Sequence, residues 1–209
     1  MSAKRILLVE GVDDEHVIKH IFGNRSLPKL DEIKEHGGVD RLLGSFSTHL
    51  KGSEDGDIVG VIIDADVDIH ARWQSLRNTL IHLGYQNVTD NPSPDGSIFD
   101  SPTGTLLPRV GIWMMPDNQN QGILEDFLRF LIPTGSRLFD HVSSSVAAIP
   151  QGERRFSAFA EPKALIHTWL AWQAEPGKPL GTSITARYLD PDVAQVDILV
   201  SWLDRLFFL

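Results

Sequence analysis

The sequence predicts an α/β protein with an open, mainly parallel sheet flanked by helices and a helical C-terminal extension. Three continuous apolar runs, RILLVE (5–10), DIVGVII (57–63) and RVGIWMM (109–115), are typical of strands buried on both faces. Segments with helical apolar spacing lie between these runs. Strands that alternate with helices favour parallel pairing through helical crossovers.

The other predicted elements follow the same reasoning from apolar spacing and turn residues. A weaker, more polar strand is expected at 30–36. The predicted helices follow Gly11 and Gly122 or lie near 39–50, 70–83, 136–149, 160–174 and 192–207. Residues 84–108 are rich in Gly, Pro, Asn, Asp and Ser, which indicates a long excursion that could hold a short hairpin.

The length of 209 residues fits one domain with an appendage. We expect an α/β domain at 1–132, with the insertion near 84–108, and a helical extension at 133–209 packed on it. The absence of cysteine excludes disulfides, thiolate zinc sites and cysteine nucleophiles. No apolar run approaches the ~20 residues that span a bilayer. The first residues lead into a strand, so a cytoplasmic location without a membrane partner is expected.

The formal net charge of −9 bears on the class of partner. Proteins that coat nucleic acid through bulk electrostatics are usually basic, so this role is disfavoured. A nuclease stays open, because clustered carboxylates at a metal site can supply much of the negative charge and the metal neutralises them locally.

Acidic residues follow the ends of three predicted strands. They are Glu10, Asp64 with Asp66, and Asp117. Ligands of open α/β sheets gather beyond the carboxyl ends of the strands, so these side chains are expected at one edge. Residues two apart on an extended segment point the same way, so Asp64 and Asp66 would face one metal if the segment stays extended. Asp68 would join them or cap the next helix.

Helix capping is the alternative explanation for the single aspartates, because aspartates at strand-to-helix junctions are usually N-caps. For Asp14 and Asp68 both explanations stay open. Glu10 is a poor cap, and burying it unpaired is costly. Several converging carboxylates raise one another's pKa values unless a cation lies among them. This favours Mg²⁺ or Mn²⁺, hard ions that take oxygen ligands.

These residues also resemble a known superfamily. Val9-Glu10-Gly11-Val12-Asp13-Asp14 resembles the first motif of Toprim domains, and Asp64-Ala65-Asp66-Val67-Asp68 resembles the second. The second is similar to the gyrase version, except that Ile69 stands where gyrases have glycine. The segments 111–127 and 163–169 resemble stand-alone bacterial Toprim-like proteins, which are distantly similar to overcoming-lysogenization-defect nucleases.

The resemblance implies a role for each matching position. Glu10 corresponds to a general acid/base or metal contact, and Gly11 to the motif glycine. Asp64 and Asp66 correspond to metal ligands, and Asp68 to the third acidic position of the topoisomerase version. Glu125 is the best match to a further acidic ligand of the nuclease members, and Lys163 to their basic residue. A solvated lysine at a helix start is the simpler explanation for Lys163.

The tyrosine and cysteine content argues against two of the activities found among Toprim proteins. Tyr85 and Tyr188 are the only tyrosines and no large DNA-gating region is present, which argues against a topoisomerase. The absence of cysteine removes the zinc module of a primase. A metal-dependent nuclease is expected, with a non-catalytic metal-binding module as the alternative. Nucleic acid, a partner protein and a second copy of the chain all stay open as partners.

A receiver domain phosphorylated on Asp64 is a further alternative. Receivers also begin Ile-Leu-Leu-Val-Glu and place an acceptor aspartate at the end of their third strand. Here Gly11 shifts the acidic pair away from the strand end, and Asp66 is unexpected in that pattern.

Overall fold

The computed structural model describes residues 3–209. The strands are β1 (Arg5–Val9), β2 (Glu32–Glu35), β3 (Ile58–Asp64), β4 (Ser97–Phe99) and β5 (Arg109–Met115). The α helices are α1 (Val12–Asn24), α2 (Val39–Lys51), α3 (Ile69–His82), α4 (Leu124–Phe130), α5 (Arg137–Ala147), α6 (Glu161–Ala171), α7 (Leu180–Thr185) and α8 (Ala194–Phe207). The predicted α/β class, with a mostly parallel sheet flanked by helices and a helical C-terminal end, is confirmed.

The sheet has the strand order β2-β1-β3-β5-β4, and β4 alone pairs antiparallel. The three apolar runs form the central strands β1, β3 and β5, where both faces are covered. Strand β2 reads EIKE and lies at one edge, where charged side chains discourage pairing with another chain.

The helices divide between the two faces of the sheet. Helices α2 and α3 pack on one face, where Phe46 and Trp73 share a core with Leu8 of β1. Helices α1 and α4–α8 build the larger core on the other face, around Leu7 and Trp113. The chain therefore leaves β1 toward one face and β3 toward the other. A crevice opens between the carboxyl ends of two such strands.

Paired glycines bring α8 close to the sheet. Gly60 and Gly111 are directly opposite each other in β3 and β5. A β-carbon at Gly60 would lie 2.8 Å from Phe207, and one at Gly111 would lie 2.4 Å from Leu206. The apolar end of α8 thus packs against the body of the protein, with both of these side chains buried.

The sequence pattern misses α7 and leaves β4 undefined. The α7 segment LGTSIT is short and rich in residues of low helix propensity. Its packing against α1 supports it, because a β-carbon at Gly181 would lie 2.8 Å from the His16 carbonyl oxygen. Within residues 3–209, no helix combines the length and apolarity that crossing a membrane requires.

Candidate functional site

Besides the exposed Asp13, four carboxylates and one lysine line a cleft of about 230 Å³ at the crevice between β1 and β3. Glu10 follows β1 and Asp64 ends β3. Because these parallel strands are neighbours, the two residues lie side by side. The other three come from helices. The lining comprises Glu10, Gly11, Val12, Asp13, Asp14, Gly38, Asp64, Leu124, Glu125 and Lys163.

Asp14 belongs to both the cap of α1 and the cleft. Glycine at the N-cap position offers no side chain, and the Gly11 N–H instead donates to Asp14 Oδ2 at 3.1 Å. The second oxygen, Oδ1, is buried and has no hydrogen-bond partner among the described residues. Burial, with Glu10 nearby, raises the pKa of Asp14 to about 7. Capping and a place in the cleft are therefore compatible.

Asp64 is the most perturbed acid of the cleft. Its backbone N–H donates to Glu10 Oε2 at 3.4 Å, which ties the two strand ends together. Its own Oδ1 is buried without a partner in the described part of the chain. Burial and the charges of Asp14, Glu10 and Glu125 raise the pKa of Asp64 to about 9. Burial likewise raises the pKa of Glu10.

Glu125 and Lys163 close the cleft from the larger core. Glu125 lies in the first turn of α4 with a side chain only 3% exposed, and Lys163 Nζ approaches its Oε1 to 3.5 Å. The other oxygen, Oε2, is buried without a partner within residues 3–209. The acidic and basic residues that the resemblance paired are thus neighbours in space.

Asp66 lies outside the cleft lining. Its φ of +56° turns the chain, so the condition of an extended segment after Asp64 is not met. Its backbone N–H and carbonyl both bond Gly122 at 2.9 Å, which fixes the turn, and its carboxylate pairs with Arg72. Asp66 and Asp64 therefore do not face one point.

Asp68 and Asp117 also lie outside the cleft lining. Asp68 is exposed and caps α3, accepting from the Ala71 N–H at 2.9 Å. Of its two expected roles, the structure shows capping. Asp117 folds onto its own loop, where it accepts from the backbone N–H groups of Gln119 at 3.0 Å and Asn120 at 2.8 Å. Asp117 therefore does not line the cleft with the other strand-end acids, because this turn satisfies its carboxylate locally.

Comparison with known families places the chain in one family. A family model described as "Protein of unknown function (DUF3226)" matches residues 4–208, nearly the whole chain. The chain belongs to the DUF3226 family. No curated protein and no solved structure gives a significant match.

The cleft of this DUF3226 protein offers the donor set of a hard divalent cation, with carboxylate oxygens from four elements. Within residues 3–209, no three acidic or histidine side chains already stand close enough to form a metal site. The carboxylates of the cleft would therefore have to move closer together to hold one ion. The unpartnered oxygens of Asp14, Asp64 and Glu125 fit such an ion.

The sequence does not predict the positions of two groups near the cleft of the DUF3226 chain, Gly38 and Arg72. Gly38 lines it and donates its N–H to the Glu10 carbonyl oxygen at 2.9 Å. Arg72 pairs with Asp66, two residues after Asp64. The six-residue separation of Asp66 and Arg72 spans a turn and a helix start, so no periodicity predicts their contact. A glycine pair before a predicted helix is the only signal for Gly38.

Proposed function

We propose that the cleft binds Mg²⁺ or Mn²⁺ and that the protein is a metal-dependent nuclease that hydrolyses nucleic-acid phosphodiesters. One observation carries this proposal: three carboxylates each keep a buried oxygen without a partner at the same crevice. Buried polar groups are almost always satisfied, and exceptions call for a ligand or a water. A divalent cation satisfies all three and offsets their repulsion.

The roles follow from position. Asp14, Asp64 and Glu125 would hold the cation, which supplies positive charge to activate water and to stabilise a leaving oxygen. Glu10 would accept the proton of the attacking water. Its raised pKa suits this role, because a general base works best when its pKa lies near the working pH.

Support for a phosphodiester substrate comes from the resemblance and from Lys163. The Lys163 side chain is 55% exposed while its Nζ reaches the cleft, so the ammonium group is open to a phosphate oxygen. The net charge of −9 weakens attraction for a free polyanion. We therefore expect binding to need the cation, and a partner protein to deliver the substrate in the cell.

The test couples metal binding to cleavage. Calorimetry with Mn²⁺ and Mg²⁺ measures affinity, and labelled single- and double-stranded DNA and RNA report cleavage with and without metal. Asp64→Asn should remove metal binding. Glu10→Gln should keep the metal and lower the rate by about 100-fold or more, the usual contribution of a general base. Asp68→Asn, four residues after Asp64 and outside the cleft lining, is the matched control and should leave both unchanged.

Two results would count against this proposal. No binding of either metal at millimolar concentration would remove its basis. Mn²⁺ binding at the cleft without cleavage of any substrate, alone or with the products of neighbouring genes, would favour a non-catalytic metal-binding module. The Asp64→Asn variant then shows whether the metal lies at this cleft.

A further inference from the structure

Arg72 is a largely buried cation at the edge of the candidate site. Its side chain is 15% exposed and its only carboxylate partner in the described chain is Asp66. The guanidinium Nε is buried and has no hydrogen-bond partner among residues 3–209. Guanidinium groups carry five N–H donors, so one ion pair leaves most of this group's capacity unused.

Arg72 and Lys163 come from helices on opposite faces of the sheet. Arg72 belongs to α3 on the smaller core, whereas Lys163 belongs to α6 on the larger core. Arg72 pairs with Asp66, two residues after Asp64, and Lys163 pairs with Glu125 of the cleft. The carboxyl edge of the sheet, with the acidic cleft, therefore has a cation on either side.

We propose that Arg72 binds a phosphate next to the one at the cleft, so that the substrate is a nucleic-acid strand crossing the sheet edge and not an isolated phosphodiester. This inference rests on the proposed function and specifies its substrate. Guanidinium forks bind phosphate oxygens through paired N–H donors, and a weakly hydrated guanidinium suits a partly buried contact. A strand that runs from Lys163 to Arg72 meets a cation on each side of the acidic cleft.

Asp66 is the positioning residue of this contact. Its carboxylate pairs with Arg72, and its own backbone is fixed by the two bonds to Gly122. The +147° φ of Gly122 suits glycine, and a β-carbon there would lie 2.8 Å from Asp126 Oδ2. The second acidic position of the motif thus serves the substrate through Arg72 and leaves the metal to Asp64 and its neighbours.

The experiment compares a substrate that has neighbouring phosphates with one that has a single phosphodiester. Mn²⁺-dependent hydrolysis of an oligonucleotide and of bis(p-nitrophenyl) phosphate is measured for the wild type, Arg72→Gln, Arg72→Lys and Asp66→Asn. Arg77→Gln is the matched control, because Arg77 lies on the same helix and pairs with Asp90 away from the cleft. Melting temperatures confirm that each variant is folded.

Arg72→Gln should lose about tenfold more kcat/KM on the oligonucleotide than on the small diester, mainly through KM. Loss of one phosphate contact should also lower the salt dependence of oligonucleotide binding by about one unit of slope. Arg72→Lys should recover part of the loss. Asp66→Asn should show the same substrate preference more weakly, with unchanged Mn²⁺ affinity.

Equal losses on both substrates, a similar loss in Arg77→Gln, or weakened Mn²⁺ binding in Asp66→Asn would overturn the assignment. If the wild type cleaves nothing, anisotropy of a labelled oligonucleotide with Mn²⁺ separates the two proposals. Binding that Arg72→Gln weakens about tenfold supports the strand contact although hydrolysis fails. Absent binding, or binding that this variant leaves unchanged, overturns the contact as well.

Discussion

Two sets of carboxylates lie at or beyond the carboxyl ends of β1, β3 and β5, in opposite surroundings. The cleft set, Glu10, Asp14, Asp64 and Glu125, converges on one crevice, and three of its members keep a buried oxygen without a partner in the described chain. The outer set, Asp66, Asp68 and Asp117, finds an arginine or backbone N–H groups close by. Asp64 and Asp66 are two residues apart and fall in different sets because the backbone turns between them.

The difference shows that local partners, more than residue type, decide what an acid can do. The outer carboxylates are satisfied by Arg72 or by nearby backbone N–H groups, so they serve in ion pairing or in capping. Cleft carboxylates stay desolvated and close together, which raises the pKa of Asp14 to about 7 and that of Asp64 to about 9. The metal-free cleft therefore destabilises the fold, and relief of this repulsion would contribute binding energy for the proposed cation.

The largest expected difference between the cleft set and the outer set is in the effect of Asp64→Asn on stability. It should appear in the pH dependence of the free energy of unfolding, measured in EDTA. Below about pH 4 the Asp64 carboxyl is protonated in both states and wild type and variant should match. Between about pH 4 and 9 it ionises only in the unfolded state, so wild-type stability falls. The variant escapes this loss. It should be more stable by on the order of 2 kcal/mol at pH 8, or roughly 4–8 °C in Tm.

Thermal unfolding across this pH range measures the difference, with Asp68→Asn as the outer control. Mn²⁺ should reverse the order, because only the wild type gains a bound ion that stabilises the folded state. Parallel curves for wild type and Asp64→Asn between pH 4 and 9 would show that the cleft carries no such repulsion.

Lys163→Met tests whether a bound metal ion can replace the positive charge of Lys163 in the cleft. Methionine keeps the aliphatic stem and removes the charge that lies 3.5 Å from Glu125. Because Lys163 is half exposed, we expect a modest loss of about 1–2 kcal/mol in the metal-free protein. Saturating Mn²⁺ should restore most of it, so the metal-induced rise in Tm should exceed that of the wild type.

The matched control is Lys178→Met, since Lys178 pairs with the exposed Glu175 at 2.9 Å outside the cleft lining. Its loss should stay below about 1 kcal/mol and be indifferent to metal. A Lys163→Met variant with the same metal response as the wild type would mean that Glu125 does not contact the ion.

The parts of the fold that the sequence predicts are those where burial imposes a pattern. Strands β1, β3 and β5 are covered on both faces and must be continuously apolar, so their positions are readable. The three-residue β4 and the six-residue α7 have too few residues to show a period. Tertiary contacts hold them, as at Gly181 against α1, and such contacts leave no local signal.

Some residues of the candidate site are likewise predictable from the sequence and others are not. Glu10 and Asp64 are predictable because strand ends in a parallel sheet meet at one edge. The contact between Glu125 and Lys163 joins two helices far apart in the chain, and only the resemblance suggests it. Asp66 departs from its expected place because a positive φ, which the sequence does not announce at a non-glycine residue, reverses its direction.

The smallest expected effect compares two capping aspartates. Asp68→Ala removes the bond to the Ala71 N–H and should cost about 1 kcal/mol, or roughly 2–4 °C in Tm, with unchanged Mn²⁺ affinity. Asp14→Ala removes a similar bond to Gly11 but also relieves a buried, unpartnered oxygen, so its cost in EDTA should be smaller. Calorimetry should then show weakened Mn²⁺ binding for Asp14→Ala alone. Equal stability losses with equal metal affinity would make Asp14 a helix cap like Asp68 and remove it from the cleft set.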